Sequence, residues 1–122
     1  MPDLDTAKFT TESITVTSTT ADASADVLYT VPDNHSALIK FLHLSNGTAS
    51  TKKAYIQFFH NDSSTYKYLA NGLSMAGNSV SGLISSGEFL LHQKDKIVCY
   101  IESGMTLDVT VSAKEYFDPL RQ

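Results

Sequence analysis

The fold is decided by the stretch "ALIKFLHLSN", Ala37 to Asn46, which has the composition of a β-strand but lacks its usual alternation. In an uninterrupted strand, successive side chains point to opposite faces. The two faces would then carry Ile39, Phe41 and His43 on one side, and Leu38, Lys40, Leu42 and Leu44 on the other. A strand in the wall of a small sandwich buries only one face in its own core. The stretch therefore predicts a second apolar face that something else must cover.

Length and composition identify one globular domain. The 122 residues include 42% hydrophobic and 18% charged side chains, enough for a domain that buries its own core. The net charge is -4 and the nine Lys and Arg residues are scattered, which argues against a nucleic-acid partner. The first residues contain neither a basic start nor an apolar run, and no segment has the length of a membrane span. We therefore expect no membrane partner, and a protein that is made or assembled in the cytoplasm.

Outside this stretch, short alternating runs separated by turn formers predict strands. Leu107 to Lys114, "LDVTVSAK", alternates cleanly, and Pro32-Asp33-Asn34 and Asn71-Gly72 are typical separators. Runs at a spacing of roughly 8 to 12 residues are typical of all-β sandwiches. The sequence thus predicts an antiparallel β-sandwich, jelly-roll-like, with about 8–9 strands in residues 13–118.

The two ends of the chain lack this pattern. Residues 1–12 are polar, without alternation, and have only Leu4 and Phe9 as apolar anchors. They predict an N-terminal arm that leaves the sandwich and packs on a neighbouring subunit. Residues 119–122 predict a C-terminal tail, because the last strand meets Pro119.

The reactive side chains form no recognisable catalytic or metal motif. Gly72 to Ala76, "GLSMA", approaches the G-x-S-x-G elbow, but no helix follows it. The histidines lack the short spacings of metal ligands, and the one cysteine is typical of a buried thiol. The carboxylates at strand starts or on polar faces are expected to be solvated. These side chains are His35, His43, His60 and His92; Cys99; and Glu88, Glu102 and Asp108.

We therefore predict no catalytic residue, no metal and no cofactor, and a protein that is not an enzyme. Two alternatives stay open. The fold could bring two carboxylates together as in a glycosidase, which would make the protein a hydrolase. Tyr66 and Tyr68 share one face of a strand beside a polar loop, so a carbohydrate-binding module is the other alternative, with these two tyrosines as glycan contacts.

Several runs together resemble a group of small structural proteins of tailed phages. They are "VLYTVPDNHSALIKFLHLSN", "AYIQFFHNDSSTYKYLANG", "EFLLHQKDKIVCYIESG" and "LDVTVSAKEYF", which span Val27 to Phe117. One departure is Lys94-Asp95, where the group usually has a Gly-Asp turn. The resemblance implies a non-enzymatic β-sandwich component of the virion. The function it favours is a decoration or cement protein on the capsid lattice, and the alternative is a small tail or fibre-attachment subunit.

Three predicted strands, Ala37 to Leu44, Ala54 to Phe59 and Ile97 to Ile101, have apolar residues on both faces. Placed side by side, they would expose their second faces together, which predicts an interface. An exposed apolar patch of several hundred Å² is more than a stable monomer usually tolerates. We expect a homo-oligomer, with a trimer preferred because positions in the family are often threefold, and contacts with phage capsid or tail proteins. Cover by the N-terminal arm or by a long loop is the competing explanation. The predicted interface residues are Leu38, Leu42, Leu44, Tyr55, Phe59, Val98 and Tyr100, with Leu4 and Phe9 in the arm.

Overall fold

The computed structural model describes residues 3–84 and 89–117, and for residues 3–7 it describes the backbone alone. Within these ranges the chain forms nine strands and one short 3-10 turn, Asp22–Ser24. The strands are β1 (Asp3–Val16), β2 (Asp26–Thr30), β3 (His35–Asn46), β4 (Lys52–His60), β5 (Thr65–Met75), β6 (Val80–Ile84), β7 (Phe89–Leu91), β8 (Lys96–Ile101) and β9 (Leu107–Phe117).

The strands form two antiparallel sheets that pack face to face. Sheet A has the order β1-β9-β3-β6, and β7 pairs with the part of β3 that β6 leaves free. Sheet B has the order β2-β8-β4-β5. Because β6 and β7 follow one another along the same edge of β3, the sheets have eight strand positions in the order of a jelly roll. The predicted all-β antiparallel sandwich is confirmed.

A β-bulge in β3 explains why "ALIKFLHLSN" does not alternate. Ile39 pairs with Ala113 of β9, but the next pair along is Phe41 with Ser112, so Lys40 is an extra residue. A bulge of this kind restarts the alternation one residue later. Ile39 and Leu42 therefore face the same core, and both are 0% exposed.

The predicted faces of β3 are consequently wrong after Lys40. Leu42 and Leu44 are 0% exposed and belong to the domain's own core, so the structure places them there rather than at an interface. The outward side chains on either side of the bulge are Leu38, Phe41 and His43. The strand needs no partner to cover Leu42 and Leu44.

The core lies between the sheets and draws on both of them. From sheet A come Ile39, Leu42, Leu44, Leu91, Leu107, Val109 and Val111; from sheet B come Leu28, Ile56, Ile97, Cys99 and Ile101. Buried polar contacts also join the two sheets, and among them the Tyr29 hydroxyl of β2 donates to Glu115 Oε2 of β9 at 2.5 Å. Both residues are buried, so this hydrogen bond gives the Glu115 carboxylate a donor within the protein.

The predicted N-terminal arm is a strand over much of its length. Lys8 to Val16 pairs in unbroken register with Glu115 to Leu107 of β9, so the structure assigns Lys8 to Glu12 to sheet A and corrects the prediction of a free arm there. The sequence shows no apolar alternation because β1 is an edge strand. Its outer face pairs hydroxyls with β9 instead: Thr11 with Ser112, Ser13 with Thr110, and Thr15 with Asp108, at 3.0, 3.0 and 2.6 Å. The Leu4 side chain and the predicted tail 119–122 lie outside the described residues.

Candidate interaction surfaces and the inter-sheet cleft

The outer face of sheet A carries an apolar band at one end of the sheet. Register aligns Phe9 with Lys114, Lys114 with Leu38, and Leu38 with Leu90, and directly opposed residues share a face. Phe41 lies in the next row of β3. The exposed fractions of Phe9, Phe41 and Leu90 are 69%, 37% and 46%. We call Phe9, Leu38, Phe41 and Leu90 the apolar band.

The band has one cation and a sharp polar border. The Lys114 ammonium lies 5.4 Å from the Phe9 ring centroid, within the range of a cation–π contact. The Phe41 ring stacks on His43 with centroids 5.6 Å apart. Beyond these rings, the β1 and β9 side chains are the paired hydroxyls described above. The grouped apolar side chains therefore lie at one end of sheet A, and Val80 of β6, which is 65% exposed, lies apart from them near the other end.

The outer face of sheet B is aromatic. Tyr55 of β4 stacks on Tyr100 of β8 with ring centroids 4.4 Å apart. The hydroxyls of Tyr68, on β5, and Tyr100 hydrogen bond at 2.6 Å. Burial and then this hydrogen bond raise the pKa of Tyr100, so its hydroxyl stays protonated well above neutral pH. We call Tyr55, Tyr68 and Tyr100 the tyrosine cluster.

A loop of the same chain covers the centre of sheet B. The backbone N–H of Asp22 donates to Gln57 Oε1 at 3.0 Å, and Gln57 Nε2 donates to Asp22 Oδ1 at 2.8 Å. Beneath this loop Gln57 is 1% exposed and Val98 is 2% exposed. Internal cover by a loop, the competing explanation in the sequence, therefore holds for Val98, which is not free to form an interface.

The remaining predicted interface residues separate onto opposite sides of the sandwich. Leu38 and Phe9 lie on the outside of sheet A, whereas Tyr55, Phe59 and Tyr100 lie on the outside of sheet B. The prediction placed the three two-sided strands side by side, but β3 belongs to a different sheet from β4 and β8. They therefore supply two separate surfaces instead of one.

The two predicted glycan contacts share the outer face of sheet B. Tyr66 pairs with Phe59 and Tyr68 pairs with Gln57, and both of those partners face outward. Tyr66 is half-buried against the Phe59 ring, with centroids 4.8 Å apart, whereas Tyr68 is 42% exposed. Of the two, Tyr68 offers the larger accessible surface.

The structure also contains a cleft that sequence reasoning missed. It has a volume of about 310 Å³ and lies where β4 and β5 of sheet B approach β7 of sheet A. Two of the four histidines, His60 and His92, line it together with Asp95. These residues come from the end of β4 and from the segment between β7 and β8, so no spacing in the sequence could indicate that they meet.

The Asp95 carboxylate connects the segment after β4 with the segment after β7 at this cleft. Its carboxylate accepts the backbone N–H of Asn61 at 2.9 Å and that of His92 at 3.0 Å, and His60 Nδ1 lies 3.6 Å from Oδ2. Nδ1 of His92 is buried and has no hydrogen-bond partner among the described residues. In residues 3–84 and 89–117, no group of three or more His, Cys, Asp or Glu side chains is placed to hold a metal ion.

Comparison with known proteins identifies no family for this chain. No family model matches it, and no curated protein does. Among solved structures, it is similar to a chain described as "Structure of infectious bursal disease virus Gt strain", with 15% identity and a TM-score of 0.28. That match covers 93% of this chain but 38% of the other, and values this low support no conclusion on fold or function. In the part of the chain that the structure describes, no helix is long and apolar enough to cross a membrane.

Proposed function

We propose that the protein is a non-enzymatic structural component of a tailed-phage virion, a decoration or cement protein that binds the capsid lattice. The observation that carries this proposal is the apolar band, whose members lie on the outer face of three strands of sheet A, β1, β3 and β7. Large apolar side chains grouped in this way on an otherwise polar face mark protein contacts rather than core packing.

A second, separate surface fits the same role. A cement protein contacts both the lattice and other copies of itself, which takes two surfaces facing different ways. The apolar band and the tyrosine cluster lie on opposite sides of the sandwich, which satisfies this geometry. We propose a homo-oligomer, with a trimer preferred on the basis of the resemblance, located in the virion and in contact with capsid proteins.

The first experiment is to look for the protein in particles. Virions of the phage that encodes it are purified, separated into capsids and tails, and analysed by mass spectrometry. The proposal expects the chain in the capsid fraction. Its presence in the tail fraction alone would replace the decoration role by the alternative, a tail or fibre-attachment subunit. Its absence from both fractions would refute a virion role.

The second experiment tests the apolar band directly. The double variant Phe9→Ser with Phe41→Ser is compared with Ser13→Ala, a control on the polar half of the same face. Removing two partly buried contacts of about 1.5 kcal/mol or more each should weaken binding to capsids that lack the protein at least tenfold. The control should bind as the wild type does. Equal cosedimentation of the double variant and the wild type would show that the band is not the contact.

The exposed Tyr68 favours a carbohydrate-binding module as a second candidate. A sugar that stacks on an aromatic side chain needs an accessible ring, and Tyr68 is 42% exposed. A glycan array with wild type and Tyr68→Ala tests this candidate, with Tyr66→Ala as the second predicted contact. Specific binding that Tyr68→Ala abolishes would support it, and an array without specific binding would reject it.

A further inference from the structure

We propose that the cleft between the sheets binds a small organic anion, a carboxylate carried by an aromatic or branched aliphatic group. This inference does not rest on the virion role, because the cleft shares only Leu90 with the apolar band and its other lining residues lie outside the band. It rests on the floor of the cleft, on the polar groups at its rim, and on the way in which Asp95 is held.

The floor of the cleft is apolar and suited to a ring. Phe58 of β4 and Phe89 of β7 meet edge to face with centroids 5.1 Å apart, and Leu91 lies beside them. Small-molecule sites are typically concave and mostly apolar, with volumes of roughly 300–1,000 Å³. At about 310 Å³ the cleft is at the small end of this range, which fits a single ring or a short branched chain.

The rim of the cleft supplies hydrogen-bond donors. Lys67 lines it, and no acceptor within residues 3–84 and 89–117 makes an ion pair with this lysine. His92 Nδ1 is buried without a partner, which costs about 1–3 kcal/mol for a polar atom removed from water. In the tautomer with the proton on Nδ1, this nitrogen would donate to a ligand oxygen and that cost would be removed.

Asp95 does not make the site a cation site. Its side chain is 3% exposed, and its two oxygens already accept two backbone N–H groups, with His60 nearby. A carboxylate held in this way is a structural acceptor, because backbone N–H groups already occupy both of its oxygens. The groups left to a ligand are therefore those of Lys67, His60 and His92, and these favour an anion.

Binding is tested with phenylacetate and 4-methylpentanoate, and with phenylacetamide as the neutral match of the first. Each probe is titrated into the full-length protein and followed by two-dimensional amide NMR. For a ligand of about ten non-hydrogen atoms we expect a dissociation constant on the order of 1 mM. The largest shifts should fall on Lys67, Phe89 and His92, and the amide should bind several-fold more weakly than the acid.

Two variants separate an anion site from a merely apolar cleft. Lys67→Met should weaken the binding of phenylacetate about two- to fivefold, because an exposed ion pair contributes about 1 kcal/mol or less. Its control is Lys96→Met, a lysine over the Phe59 ring on the outer face of the same sheet. His92→Phe keeps the ring and removes the unpartnered nitrogen. It should weaken phenylacetate about tenfold or more while raising the melting temperature of the free protein.

Either of two results overturns the inference. One is that neither acid shifts any cleft resonance up to about 20 mM, well above the expected constant. The other is that the amide binds as tightly as the acid and Lys67→Met has no effect, which would leave an apolar cleft without anion recognition. Lys67 is an exposed residue, so its variant stays informative even where His92→Phe does not fold.

Discussion

The bulge at Lys40 makes Leu38 and Leu42 a matched pair for a stability test. Both are leucines of β3, four residues apart. Without a bulge they would share one face, and their truncation to alanine would cost similar amounts of free energy. With the bulge, Leu42 is 0% exposed in the core and Leu38 is a half-buried residue of the outer face.

The expected costs follow from these positions. Truncating a fully buried leucine to alanine lowers the free energy of unfolding by about 2–5 kcal/mol, because burial is lost and a cavity remains. For Leu38→Ala, part of the removed surface already faces water and no closed cavity forms, so we expect about 1 kcal/mol or less. A difference of about 1.4 kcal/mol is already a tenfold change in the folding equilibrium.

The measurement is urea unfolding followed by tyrosine fluorescence and far-UV circular dichroism, since the chain contains six tyrosines and no tryptophan. If the free energy of unfolding falls with urea concentration at the same slope in both variants, the difference between their midpoints reports stability alone. Equal losses for Leu38→Ala and Leu42→Ala would refute the bulge and restore the uninterrupted strand. If Leu42→Ala does not fold, the same comparison is made with valine at both positions.

Other predictions test the buried polar groups and the thiol. Asn46→Asp should cost about 2–5 kcal/mol in urea unfolding, because the Asn46 amide donates to three backbone carbonyls at 3.1 to 3.3 Å and a carboxylate would repel all three. Tyr29→Phe should cost about 1–3 kcal/mol by leaving buried Glu115 without its donor. Burial and the bond to Glu115 raise the pKa of Tyr29, so this tyrosine's contribution to stability is complete below about pH 10 and falls at higher pH; the Phe variant should show a shallower alkaline loss. Burial also raises the pKa of Cys99 to about 12, so a thiol reagent at pH 8 should react with the native protein only as fast as it unfolds, and rapid reaction would contradict the buried position.

The parts of the fold that were predictable are those in which one strand carries its own signal. In β9, apolar Leu107, Val109 and Val111 alternate with polar residues, and the structure buries these three side chains. Of the two separators named from the sequence, Pro32-Asp33-Asn34 does lie between β2 and β3. Asn71-Gly72 was wrongly predicted to separate strands: it lies inside β5, where Gly72 has a φ of 76° and is an extra residue opposite β4. The part of β1 from Lys8 to Glu12 was missed because an edge strand held by backbone and hydroxyl pairs has little apolar pattern to detect.

The candidate site was less predictable, because its residues meet only after folding. The loop over sheet B depends on Asp22 and Gln57, which are 35 positions apart. The cleft depends on His60, the last residue of β4, and on Asp95, in the segment between β7 and β8. Neither pair has a spacing that would distinguish it from solvated surface residues.

The sequence by itself determined the all-β class, the approximate number of strands and, in strands such as β9, which side chains face the core. These features follow from alternation and turn chemistry, which act within a few residues. It also determined that "ALIKFLHLSN" has too many apolar residues for one regular face. Only the tertiary structure decided how those residues divide. The bulge at Lys40 is set by pairing with β9, about seventy positions away, and a shift of one residue in that register exchanges core and surface. For the same reason only the folded chain could show that the remaining outward apolar groups lie on two opposite faces.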